Sequence, residues 1–190
     1  MNRYSDGAIY DGDWKDGLRN GQGKLTFLGG GSSTGEFRND NRHGKGLSRQ
    51  RDGTTYEGEW EDGNRHGKGV EKQANGIVYK GEWVHGRYHG KGVITFAGGD
   101  SYQGDWINGK KNGRGIYKWA NGRLYDGEWR EDLKNGSGIF KWPTGASYDG
   151  QWKNGRKDGR GTFNYDDGGV YEGEWKEGDR FGLVQNMLST

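Results

Sequence analysis

The sequence predicts an all-β chain: an elongated, twisted, single-layer antiparallel sheet, a solenoid-like meander laid down hairpin by hairpin. Three observations predict it. The string Tyr-x-Gly-x-Trp begins at Tyr10, Tyr56, Tyr79, Tyr102, Tyr125, Tyr148 and Tyr171, and a degenerate copy from Ser33 keeps Gly35 and Phe37, so consecutive starts stand 23 residues apart. Within each copy the aromatic and charged residues alternate, the period of a strand with two unlike faces. Glycine recurs at fixed offsets, 41 in all, beside one proline and no cysteine. Composition alone points elsewhere, because 28% hydrophobic residues is a level found in disordered chains. The 14% aromatic fraction, with nine Trp and eleven Tyr, opposes disorder, and the strict period decides the matter.

Taken in order, the chain opens on a half-repeat, residues 1–9, where Arg3, Tyr4 and Ser5 hold the places that Asn164, Tyr165 and Asp166 hold before the last unit. Full repeats follow at 10–32, 33–55, 56–78, 79–101, 102–124, 125–147 and 148–170, and a partial repeat at 171–190 closes one array spanning 1–190. Each repeat reads as a hairpin. In YEGEW, residues 56–60, Tyr56, Gly58 and Trp60 share one face and Glu57 and Glu59 the other. A turn follows with Gly17, Gly63, Gly86, Gly109, Gly155 or Gly178, replaced by Asp40 and Asp132 in the other two units. Aspartate is among the few residues that share glycine's tolerance of positive φ, so this position is expected to be left-handed. The return strand is Gly-x-Gly and then alternating apolar residues, as in GRGIYKW, residues 113–119. A second turn of the ANG or PTG type leads to the next Tyr.

Glycine weakens strands unless another group must come close. The expectation is that each strand glycine leaves a hole across which a neighbouring Tyr or Trp lies. The last strand, expected over residues 183–187, carries Val184 where the second glycine belongs. Neither end offers an obvious polar cap, so an end-to-end homodimer is one expected way of covering an edge.

Tyr-x-Gly-x-Trp followed by Gly-x-x-x-Gly-x-Gly resembles the MORN repeat (membrane occupation and recognition nexus), and the resemblance covers roughly residues 3–184. It implies the single-layer hairpin sheet described above, with hairpins each adding about 10 Å. Arrays of this family occur in membrane-junction proteins, in cytoskeletal and ciliary scaffolds, and beside the catalytic domains of lipid kinases and lysine methyltransferases. No such catalytic domain has room in 190 residues.

Several function classes lose ground on the residues themselves. The stretch GNRHGKG, residues 63–69, has one residue too few before its Gly-Lys pair for a phosphate-binding loop, and Gly69 stands where the metal-binding hydroxyl belongs. His43, His66 and His89 recur once per repeat, too far apart for one zinc site. The carboxylates Asp11, Asp13, Glu57, Glu59, Glu82, Asp126 and Glu128 form a stripe with no pair singled out, as on a solvated face. An enzyme, a metal and a cofactor are therefore not expected. No window is apolar enough for a signal peptide or membrane span, and the absence of cysteine fits a reducing compartment, so a cytoplasmic protein is expected, with cytoskeletal or membrane association.

Two surfaces remain as candidates. The first is the aromatic face of the C-terminal half, where return strands carry Ile94 and Phe96, Tyr117 and Trp119, Phe140 and Trp142, then Phe163 and Tyr165, while earlier ones carry Ser48, Gln50, Glu71 and Gln73. Together with Trp106, Trp129 and Trp152 these rings form a candidate groove for a protein partner, a helix or an extended peptide. For the motif Tyr and Trp a core role is favoured; for Trp119 and Trp142 groove and core stand level. The second is a basic stripe at the first turn: Arg19, Arg42, Arg65, Lys111, Lys134 and Lys157, with Lys68 and Lys91 nearby and Tyr88 interrupting. Such a row is a candidate site for anionic phospholipid, at about 1 kcal/mol per residue. Nucleic acid is disfavoured by the parallel acidic stripes and a net charge of only +2.

Overall fold

The computed structural model describes residues 2–181. The chain divides between Ala97 and Gly98 into two compact units. The first holds β1 (Asn2–Arg3), β2 (Ile9–Lys15), β3 (Leu18–Thr26), β4 (Ser32–Arg38), β5 (Asn41–Arg49), β6 (Thr55–Glu61), β7 (Asn64–Lys72), β8 (Val78–Val84) and β9 (Arg87–Thr95). The second holds β10 (Ser101–Ile107), β11 (Lys110–Lys118), β12 (Leu124–Arg130), β13 (Leu133–Lys141), β14 (Ser147–Lys153), β15 (Arg156–Asn164), β16 (Val170–Lys176) and β17 (Asp179–Phe181). In each unit every strand pairs antiparallel with its neighbours in sequence, giving an open sheet of hairpins. The half-repeat forms as β1, pairing Asn2 with Tyr10. The strand expected over residues 183–187 lies outside the described residues.

The first turn is tighter than the glycine position alone indicates. Arg130 pairs directly with Leu133, so the loop is two residues long. Both of those residues are left-handed: Glu131 has φ 49° and Asp132 φ 69°, and in another unit Asn154 and Gly155 have φ 50° and 86°. Positive φ at both centres is the type I′ turn, whose twist matches that of the flanking strands. The turn amides also join hairpins, as Gly155 N–H donates to Lys134 O at 2.9 Å.

The strand glycines are contact points. Gly127 faces Gly138 across the hairpin, and Gly138 faces Gly150 in the next. The Tyr125 ring lies along the bare backbone, so a Cβ on Gly138 would stand 2.4 Å from its hydroxyl oxygen. The hydroxyl then donates to Glu128 O at 2.9 Å, and the same bond recurs at Tyr56, Tyr79, Tyr102, Tyr148 and Tyr171. The motif Trp reaches back instead. Trp152 Nε1–H donates to Gly138 O at 2.9 Å, in the preceding hairpin, as Trp129 does to Gly115 O. Tyr56, Tyr102, Tyr125 and Tyr148 are thus held edge-on between two indoles, Tyr125 standing 5.1 Å from Trp129 and 5.3 Å from Trp152 between ring centres, while Tyr10 has Trp14 and Phe37. This alternating file is the core. Trp14, in the first hairpin, has only two-residue β1 before it and is 36% exposed.

One strand feature escapes a count by twos. Between Gly127 and Trp129 the register shifts, and the return strand bulges through Asn135, Gly136 and Ser137. Gly136 is left-handed, φ 66°, and the Ser137 N–H donates to Glu128 Oε1 at 3.0 Å. Asp13, Glu36, Glu59, Asp105 and Gln151 serve the same bulge amide in their hairpins. The expectation of a merely solvated carboxylate row is corrected for Asp13, Glu59 and Glu128: their side chains satisfy an amide that leaves the ladder.

Candidate functional site

In the second unit a further file of rings runs beside the core file, built from the end of each return strand. Tyr117, Trp119, Phe140, Trp142, Phe163 and Tyr165 follow one another at centroid separations of 4.5, 5.3, 4.4, 5.3 and 4.6 Å. Trp119 and Trp142 open the second turns. Trp142 N–H donates to Ala146 O, Gly145 N–H to Trp142 O, and Gly145 takes the left-handed conformation. Phe140 is buried; the other five are half-buried, with part of each ring open to solvent. Tyr117 is fixed by its hydroxyl, which donates to Asp100 Oδ2 at 2.7 Å, while Asp100 Oδ1 accepts from Ala120 N–H.

Trp106, Trp129 and Trp152, also expected in the groove, are at most 6% exposed and belong to the core file. Phe96 lies in the first unit and is half-buried. Ile94, its neighbour on that face, is buried.

The basic stripe does not form one exposed row. Trp129 pairs with Lys134, which puts the stripe cation on the aromatic face rather than at the turn tip. Lys134 Nζ stands 4.1 Å from the Trp152 ring centre and 4.8 Å from that of Phe140. Lys111 sits likewise over Trp129 and Tyr117, and Lys157 over Trp175 and Phe163. Arg42 lies over Trp60 and Arg65 over Trp83, while Arg19 pairs with Asp40 at 3.1 Å. Lys68 and Lys91 are exposed. The sequence carried a signal for this: Asp-Gly and Asn-Gly dipeptides at 16–17, 62–63, 108–109 and 154–155 demand two-residue turns, and these set the cation opposite Trp.

Burial lowers the ammonium pKa of Lys111, Lys134 and Lys157, with a neighbouring cation adding to the effect at Lys134 and Lys157. Lys134 falls from 10.5 to about 8. An unfolded chain binds that proton more tightly, so its penalty on folding is present in full below pH 8 and is relieved as pH rises toward 10.5. Above pH 10 the buried tyrosines act oppositely, since burial raises their pKa and the unfolded chain ionises first. Replacing Lys134 by Met keeps the aliphatic cover and removes the charge. The variant is expected to melt higher at pH 7 and to show a smaller rise in melting temperature between pH 8 and pH 10 than the parent, Lys111 and Lys157 supplying what remains, as followed by circular dichroism.

The interrupted position is also explained. Tyr88 replaces the stripe cation and stacks on Tyr79, ring centres 3.7 Å apart. Its hydroxyl donates to Glu71 Oε2 at 2.8 Å; Gln73 Nε2 donates to the same oxygen, and Arg65 binds the other. The buried carboxylate on the aromatic face of the first unit is thus fully answered. His43, His66 and His89 are half-buried, one per hairpin, and no group of three or more His, Cys, Asp or Glu among the described residues is placed to hold a metal ion.

Repeat by repeat, the sequence matches the MORN-repeat family model at residues 10–32, 34–55, 56–78, 79–101, 102–122, 125–147, 148–170 and 171–183. The chain belongs to the MORN-repeat family. No curated protein matches it. Among solved structures, this MORN array is similar to the TCP domain of Drosophila melanogaster SAS-4 (dCPAP), solved in complex with a proline-rich motif of Ana2 (dSTIL). That likeness has a TM-score of 0.51 and 10% identity, and covers 93% of this chain and 95% of the other. A second is the G-box domain of the microcephaly protein CPAP, whose structure was taken to suggest a role in centriole elongation. It has a TM-score of 0.57 and 15% identity, over 100% of this chain and 97% of the other. At such identities the likeness is one of fold alone. No helix among the described residues is long and apolar enough to cross a membrane.

Proposed function

We propose that this MORN array is a non-enzymatic scaffold whose second unit holds an extended peptide of a protein partner along the outer ring file. The observation that carries the reading is the six-membered file from Tyr117 to Tyr165, five of whose rings keep an open surface, beside three ammonium groups in register with it. Contiguous aromatic surface on a single-layer sheet is the usual mark of an interaction site.

Spacing favours one kind of peptide. Successive hairpins stand about 9.6 Å apart, two strand spacings, and a polyproline II helix advances about 9.3 Å in three residues. A proline-rich segment laid across the strands presents the same face to every hairpin, with prolines on the rings. Lys111, Lys134 and Lys157 repeat at the same pitch and select an acidic residue at every third position. The proline-rich ligand of the SAS-4 domain supports the choice by analogy of fold. A cytoskeletal or ciliary assembly is the setting we assign. The anionic-lipid reading retains Lys68 and Lys91, the two members of its stripe that are exposed.

Two synthetic peptides of identical composition test the spacing: one proline-rich with glutamate at every third position, the other with the glutamates bunched at one end. Calorimetric titration is expected to give at least tenfold tighter binding of the first. Equal affinities, or no binding of either, would reject the polyproline reading.

A further inference from the structure

Ammonium groups set among rings recur down the second unit, and one of them differs from its equivalents. Lys111, Lys134 and Lys157 each have three rings around Nζ. Lys111 and Lys157 also have an acid near enough to favour their charge, Asp132 and Asp179. Lys134 has neither, because Gly155 and Arg156 hold those two places in its next turn. Among the described residues its ammonium makes no hydrogen bond and no ion pair. It is boxed in by aromatic carbon instead. Nζ lies 4.1 Å from the ring centre of Trp152, 4.8 Å from that of Phe140 and 5.6 Å from that of Tyr125, and all three rings are buried. Lys134 itself is half-buried, so one side of the box stays open.

A plain ammonium is a poor match for this box. It is a compact, strongly hydrated charge with three N–H donors, and no protein acceptor meets them here. Each methyl group added to Nζ exchanges one donor for apolar surface against a ring, and the positive charge stays for the ring faces to attract. With fewer N–H groups to hydrate, the cation also loses less on leaving water. Other changes at a lysine amine run against the box. Acylation removes the charge that the rings hold, and a carbamate sets a negative group against negative ring faces. The site is also prepared for alkylation, since burial lowers the ammonium pKa to about 8 and leaves a larger share of free amine near neutral pH.

We infer that Lys134 is a site of N-methylation, with Trp152, Phe140 and Tyr125 as the cage that holds the methylated ammonium. The co-reactant is a sulfonium methyl donor, delivered by an enzyme that reaches Nζ from the open side. The lone pair of the free amine attacks the methyl carbon; the N–C bond forms as the S–C bond breaks. The sulfonium leaves as a neutral thioether, and a proton passes from nitrogen to solvent before each further transfer. The inference concerns the surroundings of the ammonium alone and does not rest on the peptide reading.

The test exploits a chain without cysteine, in which Lys134→Cys gives a single alkylation site. Reaction with 2-bromoethylamine or with (2-bromoethyl)trimethylammonium builds two thioether side chains of lysine length that differ only in their methyl groups. Near pH 6, where both are charged, the trimethylated chain is expected to melt about 2–4 °C higher. The same pair built from Lys68→Cys, at an exposed position, is expected to differ by less than about 1 °C. Peptide mass mapping of the chain isolated from its own cells is expected to find methyl groups on Lys134 and none on Lys68 or Lys91. A trimethylated chain that melts no higher than its amine counterpart would overturn the cage. Lys134 found unmodified or acylated in the native chain would overturn the site.

Discussion

Replacing Gly138 by Ala is expected to destabilise the second unit by about 2–4 kcal/mol, far beyond the usual cost of one methyl group. The new Cβ would lie 2.4 Å from Tyr125 Oη and 2.6 Å from its Cζ. Tyr125 has no exposed surface and is held edge-on by Trp129 and Trp152, so the ring has nowhere to retreat. Overpacking of this kind costs about 1–3 kcal/mol, and the tyrosine loses a hydrogen bond worth about 1 kcal/mol as it shifts. Gly98→Ala is the matched control: it has no atom within 4 Å of the added Cβ and no left-handed backbone. That change is expected to stay within about 0.5 kcal/mol. Denaturant unfolding followed by tryptophan emission measures both. In a double-mutant cycle, Tyr125→Phe should recover part of the Gly138→Ala loss by removing the nearest atom. Equal stabilities for Gly138→Ala and Gly98→Ala would contradict the account of the glycines.

That prediction rests on a feature the sequence made legible. Glycines two apart on a strand otherwise marked by Tyr and Trp implied a ring lying on bare backbone, and Tyr125 over Gly138 is that arrangement. The left-handed turn was legible as well, because Asp40 and Asp132 stand where the other hairpins have glycine. What could not be read was the course of the chain between them. The bulge at Gly136 inserts residues that have no partner on β12, and only its amide explains why Glu128 and its equivalents are acidic or amide residues. The cation row was misplaced although its signal, the Asp-Gly and Asn-Gly turns, stands in the sequence. A two-residue turn brings Lys134 opposite Trp129, whereas a longer turn would have left it at the tip. Which rings stay open was also beyond the sequence, since Phe140 and Trp142 are neighbours on one face, and only the turn geometry leaves Trp142 at the margin.

The second large effect separates the two ring files. Trp152 and its equivalents bridge hairpins by an indole hydrogen bond and two edge-on contacts, so truncation there removes core. Trp119 and Trp142 make tilted contacts at the strand ends and keep part of their surface in solvent. Removing both therefore takes away ligand surface while the Tyr–Trp core file remains. A groove that owes its affinity to a few aromatic anchors loses about 2 kcal/mol or more per anchor on truncation to Ala.

The most direct measurement is a pair of curves on one variant, Trp119→Ala with Trp142→Ala: thermal unfolding by circular dichroism, and titration with the proline-rich, glutamate-spaced peptide. The account predicts a cooperative melt close to that of the parent chain, together with at least a hundredfold loss of peptide affinity. A variant that binds as tightly as the parent, or one that loses its fold along with binding, would contradict the assignment of the outer ring file as the partner surface.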